Sequence, residues 1–263
     1  MSDKLLAIEN LSVSFDGFKA INNLNFSLDE GELRVVIGPN GAGKTTFMDC
    51  ITGKTKPTEG TVIFRNKNLL PYSEHEIVRM GIGRKFQTPR VFLKLTPREN
   101  LELSCTRHKN VVASLFRGAS RLEKRRVASV LETIGLVTKA DIPAELLSHG
   151  EKQRLEIGML VAQFSLPDSS VADEPTAGLL LVDEPVAGLT DEETEKVGDL
   201  LLALSESHSI IVIEHDMEFV RQIAQGTVTV LHQGSVLCEG SMDDVQSDPR
   251  VIAVYLGSQD EHL

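Results

Sequence analysis

No apolar stretch in this 263-residue sequence is long enough to cross a bilayer. Runs such as LLLV (Leu179 to Val182) and IIVI (Ile210 to Ile213) are strand-sized, far short of the roughly 20 residues a spanning helix needs. The opening MSDKLLAIEN has no apolar signal core either, so a cytoplasmic protein is expected, reaching any membrane only through a partner. Cysteine is scarce: Cys50, Cys105 and Cys238 are scattered, with neither metal-ligand spacing nor an even count. That excludes a disulfide framework and a zinc cluster and points to reduced, structural thiols. Positive charge is in deficit, the net formal charge being -11, which opposes non-specific attraction to nucleic acid or anionic lipid. No low-complexity tract interrupts the chain. With 41% hydrophobic and 25% charged residues, it has the composition of a folded globular unit.

Along the chain, residues 5–37 alternate short apolar runs with turn residues and read as strands ending in LRVVI. A helix is expected over Lys44 to Ile51 and another strand over Thr61 to Phe64. Residues 89–164 turn helical in pattern, with the basic, amphipathic RLEKRRVASVLETIGL (Arg121 to Leu136), and suggest an inserted helical subdomain. Buried-strand patterns return at LLLV and IIVI, so a parallel sheet covered by helices on both faces is expected. Residues 241–263 read as an appended tail after a 1–240 domain.

GPNGAGKTT follows an apolar strand and opens a helix, the context in which G-x-x-x-x-G-K-[ST] signifies a phosphate-binding loop. Gly38, Pro39, Asn40, Gly41, Ala42 and Gly43 supply backbone that can turn its N–H groups toward a polyphosphate. The helix amino terminus adds positive potential, Lys44 neutralises the terminal phosphates, and Thr45, followed by Thr46, offers a hydroxyl to magnesium. ATP or GTP binding follows. TKAD (Thr138 to Asp141) imitates a guanine-reading loop, but no D-x-x-G precedes it and its context is helical, which favours adenine.

From Phe15 to His215 the ordered motifs resemble the nucleotide-binding subunits of ABC transporters. The resemblance implies an α/β fold: a P-loop NTPase (RecA-like) core with an antiparallel β subdomain and an inserted α-helical subdomain. FQTPRVF resembles the Q-loop, which implies that Gln87 reaches magnesium and the attacking water. LSHGE is similar to the signature, so Leu147, Ser148, His149, Gly150 and Glu151 are expected to meet the γ-phosphate of ATP held by the opposite subunit. His149 and Glu151 depart from the commoner glycine and glutamine. Independently of any family, Ser148 makes a good N-cap, and Leu155, Met159 and Ala162 share one face of the helix it would start. LLLVDE resembles the Walker B strand, implying magnesium binding by Asp183 and general-base catalysis by Glu184. IIVIEHDM resembles the H-loop and assigns His215 to the γ-phosphate. Phe15 matches the aromatic position that stacks on adenine, with Phe18 as local competitor and core burial as the alternative for both.

DEPTAGL (Asp173 to Leu179) and DEPVAGL (Asp183 to Leu189) are a near-repeat, identical at six of seven positions. Only one copy can end the catalytic strand. LLLV precedes Asp183 whereas SSVA precedes Asp173, so the second copy is expected on the strand and an insertion over residues 164–178 on the surface. In the competing assignment Asp173 and Glu174 are catalytic.

Within the family, GIGRKFQTPRVF, LSHGEKQRLEIGML, DEPVAGLTDEE and VIEHDMEFVRQIA look most like the ATP-binding subunit of bacterial urea importers, relatives of the branched-chain amino acid importers. That implies ATP and Mg2+ as ligands, a second ATPase subunit, integral membrane permeases, an external solute-binding protein, no nucleic acid, and a peripheral position on the cytoplasmic face of the inner membrane. Branched-chain amino acids or another cargo, export or lipid transport, and a non-hydrolysing nucleotide-binding regulator are the alternatives. Soluble cassettes serving translation or DNA repair usually carry two cassettes or a long coiled coil, and neither is visible.

Overall fold

The computed structural model describes residues 4–85, 91–105, 121–164 and 178–257. Gln87, Asp173 and Glu174 lie outside the described residues, as does nearly all of the expected insertion.

The chain begins with a hairpin, β1 (Leu6–Phe15) and β2 (Phe18–Leu28), turned at Asp16-Gly17, where both residues have positive φ. β4 (Glu59–Phe64) and β5 (Lys67–Asn68) join it in an antiparallel sheet of order β2-β1-β4-β5. The larger sheet is built from β3 (Leu33–Ile37), β6 (Ile82–Lys85), β7 (Leu179–Asp183), β8 (Ser209–Ile213), β9 (Val228–His232) and β10 (Ser235–Gly240). Its order is β10-β9-β3-β8-β7-β6, parallel from β9 to β6, with β10 closing one edge antiparallel to β9.

Buried parallel strands read as near-continuous apolar runs, and side chains alternate between the faces. Val35, Leu180, Val182, Ile210 and Val212 enter one core. Val36, Leu179, Leu181, Ile211 and Ile213 enter the other. The first core is covered by helices, among them α3 (Pro97–Cys105), α4 (Arg121–Thr133), α5 (His149–Phe164) and α6 (Asp191–Ser205). On the second face lie α1 (Lys44–Ile51), α2 (Glu74–Arg79) and, instead of further helices, the antiparallel sheet through Leu6, Ile8, Leu24 and Phe26. Helices thus lie on both faces, as the sequence predicts, and the amphipathic early strands share the second face with α1 and α2.

α7 (Met217–Ile223) follows β8, and the chain closes with α8 (Met242–Ser247) and α9 (Pro249–Gly257). Met242, Val245 and Val251 of these last helices are buried in the first core, so residues 242–251 are integral to its packing.

Candidate nucleotide site

α1 starts at Lys44, as its sequence predicts, behind a loop that only glycine permits. Gly43 has φ +100, and a Cβ there would lie 2.6 Å from the carbonyl oxygen of Ala20. At Gly38 a Cβ would lie 2.3 Å from the Leu231 carbonyl oxygen. The loop is braced by β2 and the β9–β10 turn: Gly234 N–H donates to Ala42 O (3.0 Å), and Asn22 N–H to Gly234 O (2.9 Å). Behind it Phe47 is fully buried edge-on to Phe26, centroids 5.1 Å apart.

Lys44 is buried, its ammonium donating to the carbonyls of Gly38 (2.6 Å) and Pro39 (3.0 Å). Burial pushes its pKa down, opposed by the nearby carboxylates of Glu184, Asp183 and Glu214. Those acids come from the carboxyl ends of β7 and β8, the edge where parallel α/β sheets hold their ligands. Asp183 ends β7, 2% exposed, and accepts from Arg84 Nη2 at 3.2 Å. Arg84 also pairs with Asp49 on α1, so one guanidinium bridges β7 to the phosphate-loop helix. Glu184 has φ +45, a left-handed conformation that costs a non-glycine residue on the order of 1–2 kcal/mol. Its N–H donates to Ile213 O (3.0 Å), a last bond to the neighbouring β8, and the left-handed φ turns the chain off the sheet there. His215 Nδ1 stands 3.6 Å from Glu184 Oε1 and 3.8 Å from Glu214 Oε2, with the ring exposed. Glu214 is buried and accepts the N–H groups of His215 (2.9 Å), Val186 (3.3 Å) and Asp216 (3.4 Å). Desolvation nevertheless pushes its pKa up, those bonds opposing.

Lys44, Asp183, Glu184 and His215 are thus brought to one end of the sheet, with Thr45 exposed on the first turn of α1. A polyphosphate suits the loop: Gly41, with φ +78, borders open space, and the loop carries a buried ammonium whose hydrogen-bond partners are neutral carbonyls. Phe15 and Phe18 face each other across the hairpin turn and are 50% and 67% exposed, so neither is a core residue and both are free to meet a ring.

The signature residues have a different neighbourhood. Leu147 is buried. Ser148 and Glu151 form a reciprocal cap at the start of α5: Ser148 N–H donates to Glu151 Oε2 (3.0 Å), and Glu151 N–H to Ser148 Oγ (3.2 Å). Lys139 pairs with Glu151 at 2.6 Å. His149 Nε2 lies 3.3 Å from Ala187 O. Leu155 and Ala162 are buried and Met159 is partly so, the shared face expected of this helix. Asp141 of the guanine-loop imitation is engaged by Arg98 at 2.7 Å.

Sequence reasoning passed over Arg84, Glu214 and Glu193. All three sit inside quoted motifs, but their roles depend on partners in other elements. Glu193 is held against the signature by the start of α6, and the near-repeat gave no sign of it.

A family model described as ABC transporter matches residues 21–177, ending inside the first DEP copy, and one described as branched-chain amino acid ATP-binding cassette transporter matches 235–261. The high-affinity branched-chain amino acid transport ATP-binding protein LivG of Salmonella typhimurium is 37% identical over 268 residues, covering 98% of this chain and 99% of its own. The ADP conformation of MJ1267, an ATP-binding cassette of an ABC transporter, superposes with a TM-score of 0.78 at 29% identity, covering 97% of this chain and 99% of that one. A dimeric post-hydrolysis state of the cassette MJ0796 bound to ADP and Pi gives 0.71 at 25% identity, over 90% and 98%. With a loop that suits a polyphosphate, acids gathered beside its lysine and near full-length likeness to these cassettes, the chain belongs to the ABC transporter family as one of its ATP-binding, ATP-hydrolysing cassettes.

Proposed function

We propose that this cassette energises an importer by binding Mg-ATP at Lys44 and hydrolysing it with Glu184, in a head-to-tail pair with a second cassette. The observation that carries this is the convergence of the Lys44 ammonium with Asp183, Glu184 and His215 at the carboxyl edge of the sheet. Lys44 would leave its two carbonyls for the terminal phosphates. Thr45 and Asp183 would hold magnesium together with phosphate oxygens, a hard-oxygen set that suits this ion without a protein cage. Gln87 would join them. Bound magnesium supplies charge neutralisation on the phosphates. Glu184 takes the proton of the attacking water, and His215, beside it, contacts the γ-phosphate. The ring of Phe15 stacks on adenine, while Ser148, His149, Gly150 and Glu151 face the ATP of the partner.

The cassette's motifs fall within 1–240, with 89–164 as the helical subdomain, and 241–263 is a C-terminal segment whose Met242, Val245 and Val251 complete the first core. Among the described residues no helix is long and apolar enough to cross a membrane. Docking at the cytoplasmic face on integral permeases, fed by an external solute-binding protein, fits that description, with no nucleic-acid partner. For cargo, the full-length likeness to LivG and the match of residues 235–261 favour branched-chain amino acids. Urea is supported only by the wording of the motifs.

The test is magnesium-dependent phosphate release. Lys44→Ala is expected to abolish both ATP binding and release; unchanged binding in that variant refutes the proposal, and binding without release by the unaltered protein means a regulator. Co-purified permeases assayed with binding proteins loaded with leucine or urea decide the cargo.

A further inference from the structure

α6 opens with a reciprocal cap between Thr190 and Glu193, in which Glu193 Oε2 accepts Thr190 N–H at 3.3 Å and Glu193 N–H donates to Thr190 Oγ1 at 3.4 Å. The second carboxylate oxygen is turned away from its own helix. Glu193 Oε1 accepts the Ser148 hydroxyl at 2.6 Å and the Gly150 N–H at 3.2 Å. Both donors belong to the signature, at the positive end of the 16-residue α5. The contact is also built sterically. A Cβ on Gly150 would lie 2.8 Å from Cβ, Cγ and Cδ of Glu193, so glycine at this position makes room for the glutamate stem inside the same subunit. The Ser148 bond, foremost, holds the Glu193 carboxyl below the usual carboxylate range.

We propose that Glu193 is a positioning residue that occupies the signature in the separate subunit, its carboxylate filling the place of the partner's γ-phosphate and setting the ATP level at which two cassettes associate. The inference rests on the signature role proposed above. A hydroxyl has one proton to donate, so Ser148 can serve the carboxylate or the phosphate but not both. Two anions brought to one helix terminus also repel. Glu193 therefore has to swing off Ser148 and Gly150 before the sandwich closes, while its other oxygen can stay on Thr190. In this way the start of α6, directly after the catalytic strand and its turn, controls whether the signature is available.

The test uses hydrolysis-blocked Glu184→Gln protein, its association followed by light scattering across ATP concentrations. Adding Glu193→Gln keeps side-chain length and an oxygen for the Thr190 cap, since glutamine also serves in such caps, and removes the charge. Half-maximal association is expected at roughly three- to tenfold lower ATP, the worth of exchanging a charge-assisted hydrogen bond for a neutral one at a part-exposed site. Glu192→Gln, the same charge change on the neighbouring residue, which pairs with Lys196, is expected to give no shift. An unchanged or higher ATP requirement with Glu193→Gln, or an equal shift with Glu192→Gln, overturns the inference alone. A Glu184→Gln parent that binds a fluorescent ATP analogue but never associates overturns the sandwich and this inference together. A melting temperature of the double variant equal to its parent's attributes the shift to the signature and not to a loosened helix.

Discussion

Replacing Glu184 by glutamine retains the side-chain length and the backbone bond to Ile213 but removes the carboxylate proposed to accept a proton from water. A positioned general base is worth about 10²–10⁴ in rate. At about 1.4 kcal/mol per decade this raises the barrier by roughly 3–5 kcal/mol. The acceptor lies 3.6 Å from His215 Nδ1, on a residue that keeps a left-handed φ of +45, so its position is fixed by backbone as well as by its neighbour. ATP binding should survive, because the ammonium and the glycine cradle are untouched. The sister substitution Glu174→Gln alters the first copy of the near-repeat, and release within about twofold of the unaltered protein is expected because no residue of β7 changes. Phosphate release at saturating Mg-ATP, measured side by side, separates the two. If Glu174→Gln ablates turnover and Glu184→Gln leaves it intact, the catalytic strand has been assigned to the wrong copy.

Phe47→Ala empties the space between the phosphate-loop helix and β2, and about 3–5 kcal/mol of stability should go with it, lowering the melting temperature on the order of 10 °C. Scanning calorimetry showing a drop of under a degree or two would mean that the ring is not packed as described. The Cys50 thiol is pushed up to about 12 by burial and by Asp49, so almost no thiolate forms at pH 8. Iodoacetamide at that pH should label the part-exposed Cys238 first and reach the buried Cys50 and Cys105 only after unfolding; rapid native labelling of Cys50 by mass spectrometry would contradict its burial.

Periodicity and loop chemistry in the sequence carried most of the sheet and the phosphate loop. The bounds of α1 and the strand at Leu179–Asp183 follow from Gly-Lys-Thr after an apolar run and from four apolar residues before an acid. The near-repeat shows the limit of letters. The family match stops inside the first copy, although a buried strand needs LLLV and not SSVA ahead of it. What could not be read depends on contacts between distant segments. Arg84 meets Asp49 and Asp183 across three elements, and Glu193 meets Ser148 across 45 residues. How the antiparallel sheet shares the second face with α1 and α2 is not legible either, because alternating strands state that they bury a side, not against what.

The bracing of the phosphate loop by β2 has a consequence for substrate choice. Phe18 starts the strand whose Ala20 carbonyl backs Gly43, so any ring stacked at the hairpin and any phosphate seated on Lys44 are gauged from one short ruler of backbone. With the base stacked as proposed, such a caliper sets its span to the phosphates before either arrives. Inserting or deleting a residue at Asp16-Gly17 would reset its jaws while leaving every motif of the loop intact.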